Sequence, residues 1–170
     1  MKKIKLSLNV KSINAAIKEL DAYKARLGKA AEEITHTLTR TGVEIAKQNA
    51  MYMDIYDNHA LYDGIVEEYV GGFGVEYAKG YVHSTAPHSM FCEFGTGIVG
   101  AENPHPNITI PGWQYDTNEH GEKGWWYEGN DGEWHWTKGM PSRPYMYETA
   151  QKLRQIATDA AITAAKRVLK

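Results

Sequence analysis

Cysteine is almost missing from this sequence. Cys92 stands alone, so one chain can form neither an internal disulfide nor a cysteine-built zinc site. Long apolar runs are missing too: none approaches the roughly 18–20 residues of a membrane span, which argues against an integral helical membrane protein. Met1-Lys2-Lys3 has the charge of a signal-peptide start. The apolar part that follows, Ile4 to Val10, is short and broken by Lys5, Ser7 and Asn9. No small-residue cleavage site comes after it, so no export signal is expected. Net charge is small, −2 from 19 Lys+Arg and 21 Asp+Glu in 170 residues. That length predicts a single domain, 1–170. One thing is present in local excess. All five tryptophans, Trp113, Trp125, Trp126, Trp134 and Trp136, fall within one short stretch.

Charge is as unevenly distributed as tryptophan. Residues 1–50 hold ten Lys+Arg and five Asp+Glu, and residues 143–170 hold six and two. Between them, 51–98 hold one and seven, and 99–142 hold two and seven. Two basic ends therefore flank an acidic middle, a pattern that acts on partner choice rather than on fold. Nucleic-acid binders place aromatics among Lys and Arg. Here the aromatics sit in acidic sequence, so no direct specific nucleic-acid binding is expected.

Residues 2–10 alternate apolar Ile4, Leu6, Leu8 and Val10 with polar neighbours, the period of a half-buried strand. Ser12 is placed to cap a following helix. From Ile13, apolar residues recur at steps of three, four and seven through Ile17, Leu20, Leu27, Ala31, Ile34, Leu38 and Ile45. This predicts a long helix over 13–50, with Gly28 and Gly42 as its weak points. So long a helix in a small domain implies a kink, a break near Gly42, or a partner chain. Antiparallel strands are predicted within 64–95: Ile65–Val70, a second run through Val75, Tyr77 and Tyr81, and a third over Met90–Phe94. Residues 97–140 read as a long excursion without periodicity up to 124. It carries a Trp-rich hairpin, Trp125–Tyr127 with Trp134–Trp136, about the turn 128–132. In that hairpin Trp134 and Trp136 share a face opposite His135, and one of Trp125 and Trp126 turns inward. A last helix spans 144–169, with a stripe rich in small residues. The fold class is α+β, an antiparallel sheet covered on one face by the long N-terminal helix and the C-terminal helix.

No catalytic centre is expected. Cys92 lies in an apolar run with no cysteine-hydrolase signature around it, which reads as a small buried hydrophobe. His83, His88, His105, His120 and His135 have no metal-ligand spacing. Glu128 and Glu133 flank a turn and read as solvated, too exposed for a general acid with a raised pKa. Gly71-Gly72-Phe73-Gly74 lacks the Lys-Ser/Thr of a phosphate loop. The sequence predicts no enzyme, no cofactor and no metal. Exposed Trp rings serve either as sugar platforms or as anchors of a protein interface. A glycan- or protein-binding module is therefore the alternative reading of the hairpin.

Two short motifs carry a resemblance. Phe91-Cys92-Glu93-Phe94-Gly95-Thr96-Gly97, followed by Gly139-Met140-Pro141-Ser142-Arg143-Pro144-Tyr145-Met146, resembles the tail-completion or head–tail joining proteins of long-tailed bacteriophages and prophages. The family pattern is an aromatic-x-x-Glu-Phe-Gly-Thr strand end, a variable loop, and Pro-Ala/Ser-Arg-Pro-Phe-Met opening a C-terminal helix; Tyr145 stands where Phe is commoner. The resemblance implies a non-enzymatic virion component that forms a ring at the neck. It implies as partners other neck proteins and tail-tube or head-completion proteins. It also implies residence in the virion, and in the bacterial host cytoplasm during assembly. Glu93, Phe94, Gly95, Thr96, Pro141, Arg143, Pro144 and Met146 would then be scaffold. Glu93 is placed either to accept backbone N–H groups or to pair with Arg143. The five tryptophans would be the candidate interface.

Overall fold

The computed structural model describes residues 7–55, 59–71, 77–107, 112–116, 118–120, 123–129 and 131–168. Along the chain come α1 (Val10–Tyr52), α2 (Ala60–Gly64), β1 (Ile65–Val70) and β2 (Lys79–Ser84). There follow α3 (Ser89–Phe94), α4 (Gly97–Glu102), β3 (Trp125–Glu128), β4 (Trp134–Thr137), β5 (Gly139–Met140) and α5 (Tyr145–Val168). The fold class is α+β. Among the described residues no helix is long and apolar enough to cross a membrane.

Several elements differ from the sequence reading. Residues 2–6 of the expected first strand lie outside the described residues, and Val10 already belongs to α1. The helix starts three residues early because Asn9 caps it: Asn9 Oδ1 accepts the Ser12 N–H at 2.8 Å. Ser12 Oγ faces back and accepts the Ser7 N–H at 2.9 Å. Asn and Ser are comparable caps, so composition did not choose between them. α1 then runs 43 residues through Gly42 without a break. Among the described residues the sheet is not one but two, β1 with β2 and β3 with β4, each of two strands. Of the second predicted strand, residues 72–76 lie outside the described residues.

Met90–Phe94 is helical, not a strand. Cys92 N–H reaches the His88 carbonyl and Gly95 N–H the Phe91 carbonyl at 2.8 Å. Cys92, Glu93 and Phe94 are buried in succession, which an alternating strand cannot do while covered on only one face. Five apolar-rich residues are too few for period to separate helix from strand. The excursion after it also opens on a short helix, α4.

The chain falls into two compact units, 1–41 with 67–81 and 153–170, and 42–66 with 82–152. In the first, the His36 ring stacks on Tyr69 with centroids 3.8 Å apart. α1 packs on the strands where β2 has no side chain: a Cβ on Gly80 would run into Thr39 Oγ1. Arg167 Nη1 donates to Glu33 Oε1 at 2.7 Å. Small residues Ala16, Ala30 and Ala164 are buried here. The large members of the predicted α1 stripe are not: Ile17 is 51% and Leu20 55% exposed.

The second unit holds a core of Ala46, Ala50, Ile55, Leu61, Ile65, Ala86, Cys92 and Tyr145. Burying a large side chain such as Leu61 stabilises by about 1.5–3 kcal/mol. α1 and α5 are joined through Asn49, whose Nδ2 donates to the Tyr145 carbonyl at 3.2 Å and to Thr149 Oγ1 at 3.1 Å. Lys152 Nζ donates back to Asn49 Oδ1 at 2.9 Å, so this buried amide has partners on both ends. Burial pushes the Tyr145 phenol up to about 12, and it is neutral at any working pH.

Candidate functional site

The two motifs, more than forty residues apart in sequence, meet within the second unit. Glu93 leaves α3 pointing at the start of α5. Its Oε2 accepts the Met146 N–H and its Oε1 the Tyr147 N–H, each at 2.9 Å. These are first-turn amides with no partner inside their own helix, and the positive end of the α5 dipole favours a carboxylate there. His105 completes the set, with Nε2 at 3.1 Å from Glu93 Oε1. Because His105 Nδ1 accepts the Asn107 N–H at 3.0 Å, the ring donates to Glu93 from Nε2. Of the two partners expected for Glu93, the structure realises the backbone amides. Arg143 turns elsewhere and donates Nη1 to the Asp54 carbonyl at 2.9 Å.

The backbones of the motifs are stitched as well. Ser142 Oγ donates to the Glu93 carbonyl at 2.6 Å and Arg143 N–H to the Cys92 carbonyl at 2.9 Å. Thr96 bridges Met140 and Gly97 bridges Gly139, both antiparallel, with the Met140 N–H also held by Thr96 Oγ1 at 3.2 Å. Gly95 ends α3 at φ 80°, a left-handed conformation that glycine adopts freely. The Pro144 carbonyl accepts the Glu148 N–H at 3.0 Å, which puts Pro144 at the helix cap where its missing N–H is not needed. Pro141 and Met146 are half-buried, and Met146 packs on the core.

The five tryptophans divide by role. Trp113 braces the motif, with Nε1 donating to the Gly95 carbonyl at 3.0 Å and its ring 5.0 Å from buried Phe94. Trp125 is half-buried and stacks on His120 at 4.7 Å. The other three are presented. In the β3–β4 register Trp126 faces Trp136 and Tyr127 faces His135, so Trp126, Trp134 and Trp136 share one face, as alternation predicts. They are 58%, 64% and 49% exposed. The turn is fixed by Asp131, whose Oδ1 accepts the Glu133 N–H at 3.0 Å and whose Oδ2 lies 2.9 Å from His135 Nε2. Those bonds hold the Asp131 carboxyl below its ordinary range.

The opposite hairpin face, with Trp125, Tyr127 and His135, lines a cleft of ≈ 840 Å³ shared with Phe91, Cys92 and Arg143. Burial pushes the Cys92 thiol up, away from the thiolate that nucleophilic chemistry needs. We expect a thiol reagent at neutral pH to leave native Cys92 unmodified and to label it on unfolding, as read by intact mass; rapid native labelling would contradict this burial. Glu128 and Glu133 are both exposed at the hairpin. Among the described residues no group of three His, Cys, Asp or Glu is arranged to hold a metal.

Sequence reasoning missed His105 as a partner of Glu93, twelve residues away and beyond α4, with no periodic signal linking the two. It also missed Asn49 and Thr149, polar residues buried where two helices meet. Comparison of the chain with protein-family models, with curated proteins and with solved structures finds no match.

Proposed function

We propose that this chain is a non-enzymatic structural subunit of a long-tailed bacteriophage or prophage, acting in tail completion or head–tail joining within a ring at the neck. Its partners are other neck proteins and tail-tube or head-completion proteins, and its place is the virion. The observation that supports this best is the division of labour in the second unit. Both motifs are spent on one scaffold, the cap and stitching of α5, while a fixed hairpin holds out three Trp rings on one face. Large rigid aromatics of this kind carry much of the energy of protein interfaces.

The alternative, a glycan-binding module, fits the same face less well. The Trp126 and Trp136 rings meet edge-on, at an interplanar angle of 66° and 5.5 Å between centroids. A polysaccharide stacking on both would need rings close to one plane. The notch between tilted rings suits an inserted protein side chain.

Deleting the gene from its phage should leave filled heads and finished tails unjoined in electron micrographs; normal virions would end the proposal. Complementation with Trp126→Ala plus Trp134→Ala should fail to restore joining. The same double variant should lose no more than about 1 kcal/mol of stability, because both rings are already exposed. Tryptophan fluorescence should not respond to host cell-wall polysaccharide, whereas a saturable change would favour the glycan reading.

A further inference from the structure

The first part of α1 carries an apolar row that the other described residues leave exposed. Ile13, Ile17, Leu20 and Leu27 are 39%, 51%, 55% and 44% exposed. Ala16 and Ala30, on an adjoining face of the same helix, are buried. The face that turns inward here is thus the one carrying Ala16 and Ala30, beside the row of large residues. The spacing of the exposed row is informative. With Lys24 filling the gap between Leu20 and Leu27, and Ala31 and the half-buried Ile34 and Leu38 continuing it, the row from Val10 to Leu38 advances by three and four residues in strict alternation, a period of 3.5 rather than 3.6. That is the seam of a two-stranded coiled coil, here about 42 Å long at 1.5 Å per residue. A helix is the surface that such a seam fits.

We propose that the partner is α1 of a second copy, running antiparallel. Antiparallel coiled-coil layers set each a position against a d position of the other strand. This seam matches itself in that way about residue 22: Val10 meets Ile34, Ile13 meets Ala31, Ile17 meets Leu27, and Leu20 meets Lys24. Large residues then face smaller ones where the seam narrows at Ala31. Each Lys24 stem lies along the partner's Leu20, with its ammonium one residue from the partner's Asp21. A parallel pair would instead oppose Lys24 to Lys24 and Ala31 to Ala31, combining like charges with a gap. The two-fold pair uses the same face on both copies and closes on itself, which makes it a property of the free subunit and prevents growth into filaments. It holds whether or not the chain works at a phage neck.

The full-length chain at micromolar concentration should sediment at twice its 19.1 kDa. Ile17→Glu with Leu20→Glu should sediment at the single mass with unchanged far-ultraviolet dichroism, since both positions are exposed. A wild-type chain at the single mass, or a double variant still at twice the mass, overturns the proposal while leaving the neck reading untouched. Cysteine crosslinking decides the matter independently if the charged variant misfolds. Under mild oxidation Ile17→Cys mixed with Leu27→Cys should form a disulfide-linked pair, and Ile17→Cys alone should not. A self-crosslink of Ile17→Cys, or no crosslink in the mixture, refutes the antiparallel layers. Native Cys92 is buried and does not compete.

Discussion

Replacing Glu93 with alanine is expected to remove about 3–5 kcal/mol of unfolding free energy. One carboxylate accepts two α5 amides and the His105 ring, and Glu93 is only 7% exposed. Without it, three donors lose their acceptor where water has little access, and each costs about 1–3 kcal/mol if left unsatisfied. Repacking around the smaller side chain offsets part of that sum. Glu93→Gln should lose less, since its amide oxygen still accepts one N–H. Its amide NH2, however, faces a further donor in place of an acceptor. Urea unfolding followed by dichroism measures both variants, and hydrogen exchange at Met146 and Tyr147 locates the damage. An alanine variant within about 1 kcal/mol of wild type would show that the remote cap contributes little.

Gly139→Ala is the second large loss. Gly139 sits at φ 98°, and an added Cβ would run into the Thr96 carbonyl oxygen, with the Gly97 Cα at 2.8 Å. The obstacles are backbone atoms held by the Thr96–Met140 and Gly97–Gly139 bridges, so neither side can yield without opening the junction of the two motifs. A penalty above about 3 kcal/mol is expected, enough to strip a domain of ordinary stability of much of its margin. Gly28→Ala is the matched control with the opposite sign. It lies within α1, where a Cβ meets nothing within 4 Å, and should stabilise by up to about 1 kcal/mol. Thermal unfolding of the pair separates a steric cost from a general intolerance of glycine replacement.

The parts of this fold legible in sequence are those with a clean period over enough residues. In the Trp hairpin the shared face of Trp134 and Trp136 was readable, because alternation assigns it; the register was not, and Glu128, read as a turn residue, pairs with Trp134 at the end of β3. α5 was readable from Pro144 onward. Met90–Phe94 misled because a single helical turn and a short strand look alike when only composition distinguishes them. Ser12 misled because Asn9, three residues earlier, caps equally well. The α1 stripe was legible as a helix face but not as an exposed one. Periodicity tells which residues share a side, and only the packing of Ala16 and Ala30 reveals which side turns inward. Glu93 was visible as a candidate tie between the motifs. His105 was not, because its contact with Glu93 lies beyond α4 and belongs to no repeat.

The bridge between Gly97 and Gly139 has a consequence for how this chain can change. Residues 98–138 leave and return at this pair of facing residues; His105 and Trp113 tie the first part of the segment back to Glu93 and Gly95, and the β3–β4 hairpin follows beyond those ties. Lengthening such a loop twofold adds only about 0.6 kcal/mol of closure entropy, and Glu93 with the two α5 amides it holds lies outside the segment. Insertions at the hairpin tip are therefore cheap, while the bridge tolerates no side chain at Gly139. Recognition and architecture can drift at separate rates, with the rings free to follow a changing partner while the two glycines stay as they are.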